Sequence, residues 1–164
     1  SNEVISHRNI NITKVTSAND MYAACLKYFP TSEITIMSAA VADFTPEQVP
    51  NEKIKKSNKL VNISLKPTVD IISSLTKKKK NNQIIVGFAL ETNDAEENAI
   101  QKLNNKNLDL IVLNSLEEEG AGFGHDTNKV TIFNKNGEKV ETNLKSKIDI
   151  AHDIASEIIK YSNF

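Results

Sequence analysis

A single carboxylate, Asp43, closes the run Ile36 to Phe44 (IMSAAVADF), and three lysines, Lys53, Lys55 and Lys56, follow in EKIKK (Glu52 to Lys56). A carboxylate can accept from sugar hydroxyls or base amines, and an ammonium can meet a phosphate. The pair therefore suits an anionic ligand such as a nucleotide. The positioning element would be a short apolar strand with two small residues, Ala39 and Ala40, in its middle. Buried parallel strands read this way, and open α/β sheets bind ligands at the carboxyl ends of such strands. With almost no side chain at Ala39 and Ala40, a flat ring or sugar could lie against the backbone. Thr45 to Pro50 carries two prolines and reads as a loop delivering the lysines to the same rim. The plain alternatives stay open on these residues alone. Small strand residues can merely admit a close helix, and clustered lysines usually form a solvated face.

The remaining chemistry-bearing residues are sparse. His125 sits in a glycine-rich loop, Glu117 to Thr127, and His152 in a C-terminal apolar pattern, where it reads as a surface or boundary residue. Gly120, Gly122 and Gly124 do not lead from a strand into a helix with dinucleotide-fingerprint spacing, so that loop reads as a lid or a connection. The one cysteine, Cys25, excludes an internal disulfide and falls on an apolar helical face, as core; it fits a reducing cytoplasm. No cysteine–histidine spacing suggests zinc, and no carboxylate cluster suggests a protein-built metal cage. Of 20 basic residues only Arg8 is an arginine, so phosphate contacts must come from ammonium groups and backbone N–H. A net charge of −1 argues against a dedicated nucleic-acid binder, and no apolar run reaches membrane-spanning length. At 164 residues, 39% hydrophobic and 25% charged, the chain suits one globular domain.

In chain order, strand and helix alternate. Asn9 to Val15 reads as a strand, and Ser17 with Asp20 forms a capping box opening a helix through Tyr28. Ile34 to Ala42 is a core strand, and Lys59 to Leu65 a strand with one wet face. Pro67 and Thr68 start a helix through Leu75, closed by Lys77 to Lys80 as a solvated helix end. Gln83 to Ala89 (QIIVGFA) and Leu108 to Asn114 (LDLIVLN) are two further core strands, separated by a helix from Asp94 to Lys106. Lys102 and Lys106, at i and i+4, share a face of that helix. Val130 to Phe133 and Lys139 to Glu141 flank the turn Asn134 to Gly137, a hairpin signal, and Lys145 to Tyr161 is a closing amphipathic helix. The expectation is an α/β fold: a Rossmann-like three-layer sandwich with a mostly parallel central sheet and a C-terminal β-hairpin, residues 1–164 forming one domain.

The set SAAVADF (Ser38 to Phe44), EKIKK, VDII (Val69 to Ile72), VGFALET (Val86 to Thr92) and KLNNKNLDLIVLN (Lys102 to Asn114) resembles the phosphopantothenoylcysteine synthetase family of coenzyme A biosynthesis. The GFG at Gly122 to Gly124 and the NKVTIFNKNG hairpin are similar to it as well. The resemblance runs from about Ser17 onward. It implies ligation of 4′-phosphopantothenate to L-cysteine, with CTP in the bacterial type, through an acyl-cytidylate intermediate and with Mg2+ on the phosphates. It implies that Met37, Ser38, Ala39 and Ala40 line the nucleotide pocket and that Asp43 contacts the cytidine. Lys53 matches the catalytic lysine; Val69, Asp70, Ile71, Ile72 and Phe88 would flank the nucleotide, with Lys102 and Lys106 on its phosphate side.

The resemblance further implies a cytoplasmic homodimer and a flavin-dependent decarboxylase, fused or as a partner, with no nucleic acid and no membrane. Family members begin with a strand and a glycine- and serine-rich turn, and nothing similar precedes Ser17. The sequence therefore reads as N-terminally truncated, and such a chain is expected to bind nucleotide weakly and turn over slowly or not at all. The alternatives are a non-catalytic nucleotide-binding α/β module and, further off, a dehydrogenase-like dinucleotide enzyme.

Overall fold

The computed structural model describes residues 7–50, 52–55, 60–114 and 126–162. The elements in chain order are α1 (Ala18–Tyr28), a 3-10 turn (Phe29–Thr31), β1 (Ile34–Met37), β2 (Phe44–Pro46), β3 (Leu65–Pro67), α2 (Ile71–Thr76) and β4 (Ile84–Leu90). Then come α3 (Ala95–Asn105), β5 (Leu110–Asn114), β6 (Thr127–Asn128), β7 (Val130–Asn134), β8 (Lys139–Glu141), β9 (Lys145–Ser146) and α4 (Lys147–Ser162). The chain separates into two compact units. One joins Ser1–Pro30 to Val41–Asp70; the other joins Thr31–Ala40 to Ile71–Phe164.

The larger unit holds a five-stranded sheet in the order β1-β4-β5-β7-β8. β1, β4 and β5 run parallel, as their apolar runs predict, but β1 is an edge strand with Ile34 and Ile36 exposed rather than a core strand, and β7 and β8 add an antiparallel edge on the other side. The hairpin turn forms as expected: Gly137 takes φ +86°, and the Asn134 side-chain oxygen accepts from the N–H groups of Asn136 and Glu138 at 3.0 Å. On one face Ile150, Ile154 and Ile158 of α4 pack against Ile84, Val86, Leu110, Val112, Val130 and Ile132. Gly87 points to the opposite face. A Cβ there would lie 2.6 Å from Leu108 Cδ1 and 3.3 Å from Ile72 Cδ1, so α2 approaches β4 over a position where any side chain would force these two to shift. With α4 on one side and α2 and α3 on the other, the unit has three layers.

At the amino end of the strands a buried carboxylate gathers its surroundings. Asp109, 2% exposed, accepts from the Ile85 N–H at 2.8 Å, from Lys135 Nζ at 2.8 Å and from Lys79 Nζ. Its own N–H donates to the Ile85 carbonyl at 3.0 Å, so it grips β4 twice. Burial opposes ionisation of Asp109, yet the hydrogen bonds from Lys135, Lys79 and Ile85 together hold its carboxyl below the usual range. The bond to Asp109 in turn raises Lys135 against its partial burial. Burial, with the charge of Asp109, raises the Tyr161 phenol beside this cluster although Lys135 works the other way.

In the smaller unit the Ser17–Asp20 capping box opens α1 as expected. Asp20 N–H donates to Ser17 Oγ at 3.1 Å and Ser17 N–H to Asp20 Oδ2 at 3.0 Å. β2 and β3 form an antiparallel ribbon, Phe44 opposite Pro67 and Pro46 opposite Leu65.

Several boundaries differ from the sequence reading. Asn9 to Val15 is not a strand. Ile10, Ile12 and Val15 alternate, but no strand among the described residues pairs with them, and all three are exposed. β1 ends at Met37 because its ladder with β4 ends at the Met37–Gly87 pair, so Ser38 to Ala42 lie beyond the sheet. Thr45 and Pro46 are strand rather than loop, and of the expected Lys59 to Leu65 strand only Leu65, among the described residues, enters one. Pro67 lies in β3, and α2 starts at Ile71, after Thr68 has closed the ribbon. Lys79 is no solvated helix-end residue: its side chain is 11% exposed and paired with Asp109. Cys25 is half-buried rather than core, its thiol pushed up by that burial, and α1 buries none of its residues. His152 is exposed. Lys56, His125 and most of the glycine-rich loop lie outside the described residues.

Candidate functional site

The residues singled out by sequence fall in both units. In the larger one, Met37 is the last residue of β1, half-buried beside Gly87 of β4. Ser38, Ala39 and Ala40 follow it out of the sheet, all exposed. Strand β1 thus ends in bare backbone at the carboxyl end of a parallel sheet, the position at which open α/β sheets take ligands. On the Gly87 face, Ile72 is half-buried, while Ile71 is 4% exposed and belongs to the core. Phe88 turns to the other face, partly buried against the α4-side cluster together with Tyr161.

Lys102 reaches the same part of β4. Its Nζ donates to the Phe88 carbonyl at 3.1 Å, which fixes the ammonium and leaves it two further N–H donors. Lys106 shares the helix face but not the height. α3 runs from the carboxyl end of β4 back toward the amino end of β5, and Lys106 closes it one turn further from the carboxyl rim.

In the smaller unit, Asp43 and Thr68 close the base of the β2–β3 ribbon. Thr68 N–H donates to the Asp43 carbonyl at 2.8 Å and Thr68 Oγ1 to the Ala42 carbonyl at 2.5 Å. This backbone clasp brings Asp43 next to the chain leading into Val69 and Asp70, and leaves the Asp43 side chain exposed. Lys53 lies between β2 and β3 in a stretch without regular structure, exposed, with Lys55 beside it. The same unit exposes Phe44, Val49, Ile54, Leu60, Val61, Ile63 and Leu65; Leu60 is 98% exposed.

Two groups escaped the sequence reading. Asn114 ends β5 at the carboxyl rim, and its side-chain oxygen accepts from Asn128 Nδ2 at 2.9 Å. A polar residue ending an apolar strand was the signal that picked out Asp43, and it was equally present here. Asp109 with Lys79 and Lys135 is the other group; a carboxylate inside LDLIVLN marked it. Among the described residues no three histidine, cysteine or carboxylate side chains come together to hold a metal, and no helix is long and apolar enough to cross a membrane.

Comparison with known proteins decides the family. The DNA/pantothenate metabolism flavoprotein C-terminal domain matches residues 2–161. The chain belongs to that family. It is 51% identical over 148 residues to the coenzyme A biosynthesis bifunctional protein CoaBC of Bacillus subtilis, covering 90% of this chain and 36% of the relative. It is 48% identical over 154 residues to a cysteine/cysteine sulfinic acid decarboxylase of an unknown prokaryotic organism, covering 94% and 43%. The chain therefore spans about two-fifths of the length of these curated relatives. A crystal structure of the C-terminal domain of CoaBC aligns with TM-score 0.71 at 38% identity, over 89% of this chain and 65% of that one. A Streptococcus pneumoniae family structure, 22% identical with TM-score 0.74 over 96% and 76%, shares the fold. The resemblance to the phosphopantothenoylcysteine synthetase domain and the α/β architecture inferred from sequence both hold.

Proposed function

We propose that this chain is the synthetase domain of a phosphopantothenate–cysteine ligase, joining 4′-phosphopantothenate to L-cysteine with CTP through an acyl-cytidylate. One observation carries the reading: β1, paired with β4 as far as Gly87, leads into the exposed Ser38–Ala39–Ala40 segment, in a chain 51% identical over 148 residues to a CoaBC protein. Nucleotide binding there uses backbone and small side chains. Met37 to Ala40 line the nucleotide, Asp43 accepts from the cytidine, and Val69, Asp70, Ile72 and Phe88 flank it. Lys102, already oriented by the Phe88 carbonyl, offers its remaining donors to phosphate, with Lys106 as a second, more distant ammonium.

In the first step the phosphopantothenate carboxylate attacks the α-phosphate of CTP and pyrophosphate leaves. Negative charge builds on the α-phosphate oxygens, and the Lys53 ammonium stabilises it. In the second step the cysteine amine attacks the acyl carbon, CMP leaves, and the amide forms. Magnesium enters as the Mg–CTP substrate complex, which needs few protein ligands. Support for a homodimer comes from the exposed apolar side chains of the ribbon unit, which would be covered by a second copy. A flavin-dependent decarboxylase, fused or separate, and a cytoplasmic setting complete the reading.

The test is pyrophosphate release by the natural gene product carrying this sequence, with 4′-phosphopantothenate, cysteine and either CTP or ATP. The reading expects release with CTP that requires phosphopantothenate. CTP binding without release would instead favour a non-catalytic nucleotide-binding module.

A further inference from the structure

We infer that Lys79 and Asp109 are positioning residues for the nucleotide site: their buried ion pair at the amino end of the sheet fixes the seat of α2, the helix that carries Ile71 and Ile72. The inference rests on the nucleotide reading above and adds to it two residues that lie at the opposite end of the strands.

With six residues, α2 is too short to be stable by itself, so its position is whatever its contacts impose. Apolar contacts supply most of the holding force. Leu75 is fully buried, Ile71 is 4% exposed, and Ile72 sits over the side-chain-free Gly87. Such contacts are non-directional and leave a short helix able to slide along the flat patch that a strand glycine creates. A charge-assisted hydrogen bond is directional.

Lys79, in the turn directly after α2, supplies one to Asp109. Asp109 is stationary relative to β4, because its carboxylate takes the Ile85 N–H and its N–H binds the Ile85 carbonyl. The helix is thus tied to β4 at two levels, by Ile72 over Gly87 and by Lys79 through Asp109 on Ile85. The following turn is tied to β1 as well. Gln83 Oε1 accepts from the Lys80 N–H at 2.8 Å, and Gln83 Nε2 donates to the Ser32 carbonyl at 2.7 Å, just before β1 begins. The elements that carry Met37, Phe88 and Ile71–Ile72 therefore share one reference frame at the amino end.

The experiment compares Lys79→Met and Lys79→Arg with the parent protein. Methionine keeps the apolar stem and removes the ammonium, while Asp109 keeps Lys135 and Ile85, so the fold should persist. Amide hydrogen exchange at Leu75, Thr76 and Lys78 should quicken at least tenfold in Lys79→Met while the amides of β4 and β5 keep their protection. CTP affinity should fall about tenfold, because a loosened α2 would be correctly seated for only a fraction of the time. Lys79→Arg should restore both. Unchanged α2 exchange, or an equal rise across the sheet, overturns the seat. Loosened α2 exchange with unchanged CTP affinity overturns its link to the site. If the parent protein binds no CTP at all, the nucleotide reading fails, while the exchange result still decides whether Lys79 seats α2.

Discussion

The two ends of the five-stranded sheet are built on opposite principles. At the amino end charged side chains face one another: Asp109 is surrounded by Lys79, Lys135, Tyr161 and the Ile85 N–H, and its acceptor capacity is used within the protein. At the carboxyl end the chain presents Ser38, Ala39 and Ala40 with little side chain, an asparagine held by a second asparagine, and one lysine oriented by a backbone carbonyl. Polar groups satisfied internally contribute to stability and register. Backbone and small residues left facing outward leave room for something else to satisfy them. The difference sets internally satisfied polar groups at one end against outward-facing backbone at the other, where the proposed nucleotide would bind.

The largest expected effect lies at the amino end. Asp109→Asn leaves Lys79 largely buried without its counter-charge, and breaking such a buried pair costs about 3–5 kcal/mol. Denaturant unfolding should read this loss, and a value within 0.5 kcal/mol of wild type, the range typical of surface changes, would break the comparison. The loss has a pH signature. Because the folded pKa of Asp109 is depressed, its contribution is present above the unfolded-state value of about 4 and fades as pH falls through the folded pKa. The stability gap between wild type and Asp109→Asn should therefore be flat near neutrality and narrow in acid.

Next in size is Lys53→Gln. As an exposed residue outside regular structure it should leave unfolding unchanged, whereas acyl-cytidylate formation should slow by about 10²-fold, more than CTP affinity weakens. Near-normal single-turnover formation in that variant would remove Lys53 from the mechanism. Gly87→Ala sharpens the comparison from between the two ends. Its Cβ would sit 2.6 Å from Leu108 Cδ1, and overpacking of this kind costs about 1–3 kcal/mol. A thermal midpoint equal to wild type would mean that α2 and Leu108 yield freely. The smallest stability change is expected for Asp43→Asn, which keeps shape at an exposed position. CTP affinity should nonetheless fall, by roughly 1–3 kcal/mol if a buried polar contact forms on binding. Calorimetric titration with an unchanged dissociation constant would count against Asp43.

Much of this division was legible in the sequence. The runs QIIVGFA and LDLIVLN are apolar enough to fix two parallel core strands, and the Asn134 to Gly137 turn dictates its hairpin. Boundaries were harder. SAAVAD looks like strand throughout, but the chain leaves the β4 ladder after Met37, although β4 itself runs on to Leu90. Asn9 to Val15 alternates correctly yet pairs with no described strand, so periodicity alone does not make a strand. Lys77 to Lys80 reads as a solvated helix end because Asp109, which holds Lys79, lies 30 residues away in sequence. Asp43 and Asn114 carry the same local signal, a polar residue closing an apolar run. Only the family resemblance separated them.

The most direct test of the account is a rapid-quench experiment with CTP and 4′-phosphopantothenate in the absence of cysteine. The account predicts a burst of pyrophosphate approaching one equivalent per site, matched by an acyl-cytidylate that added cysteine converts to amide and CMP. CTP held at the site with no pyrophosphate released would contradict it.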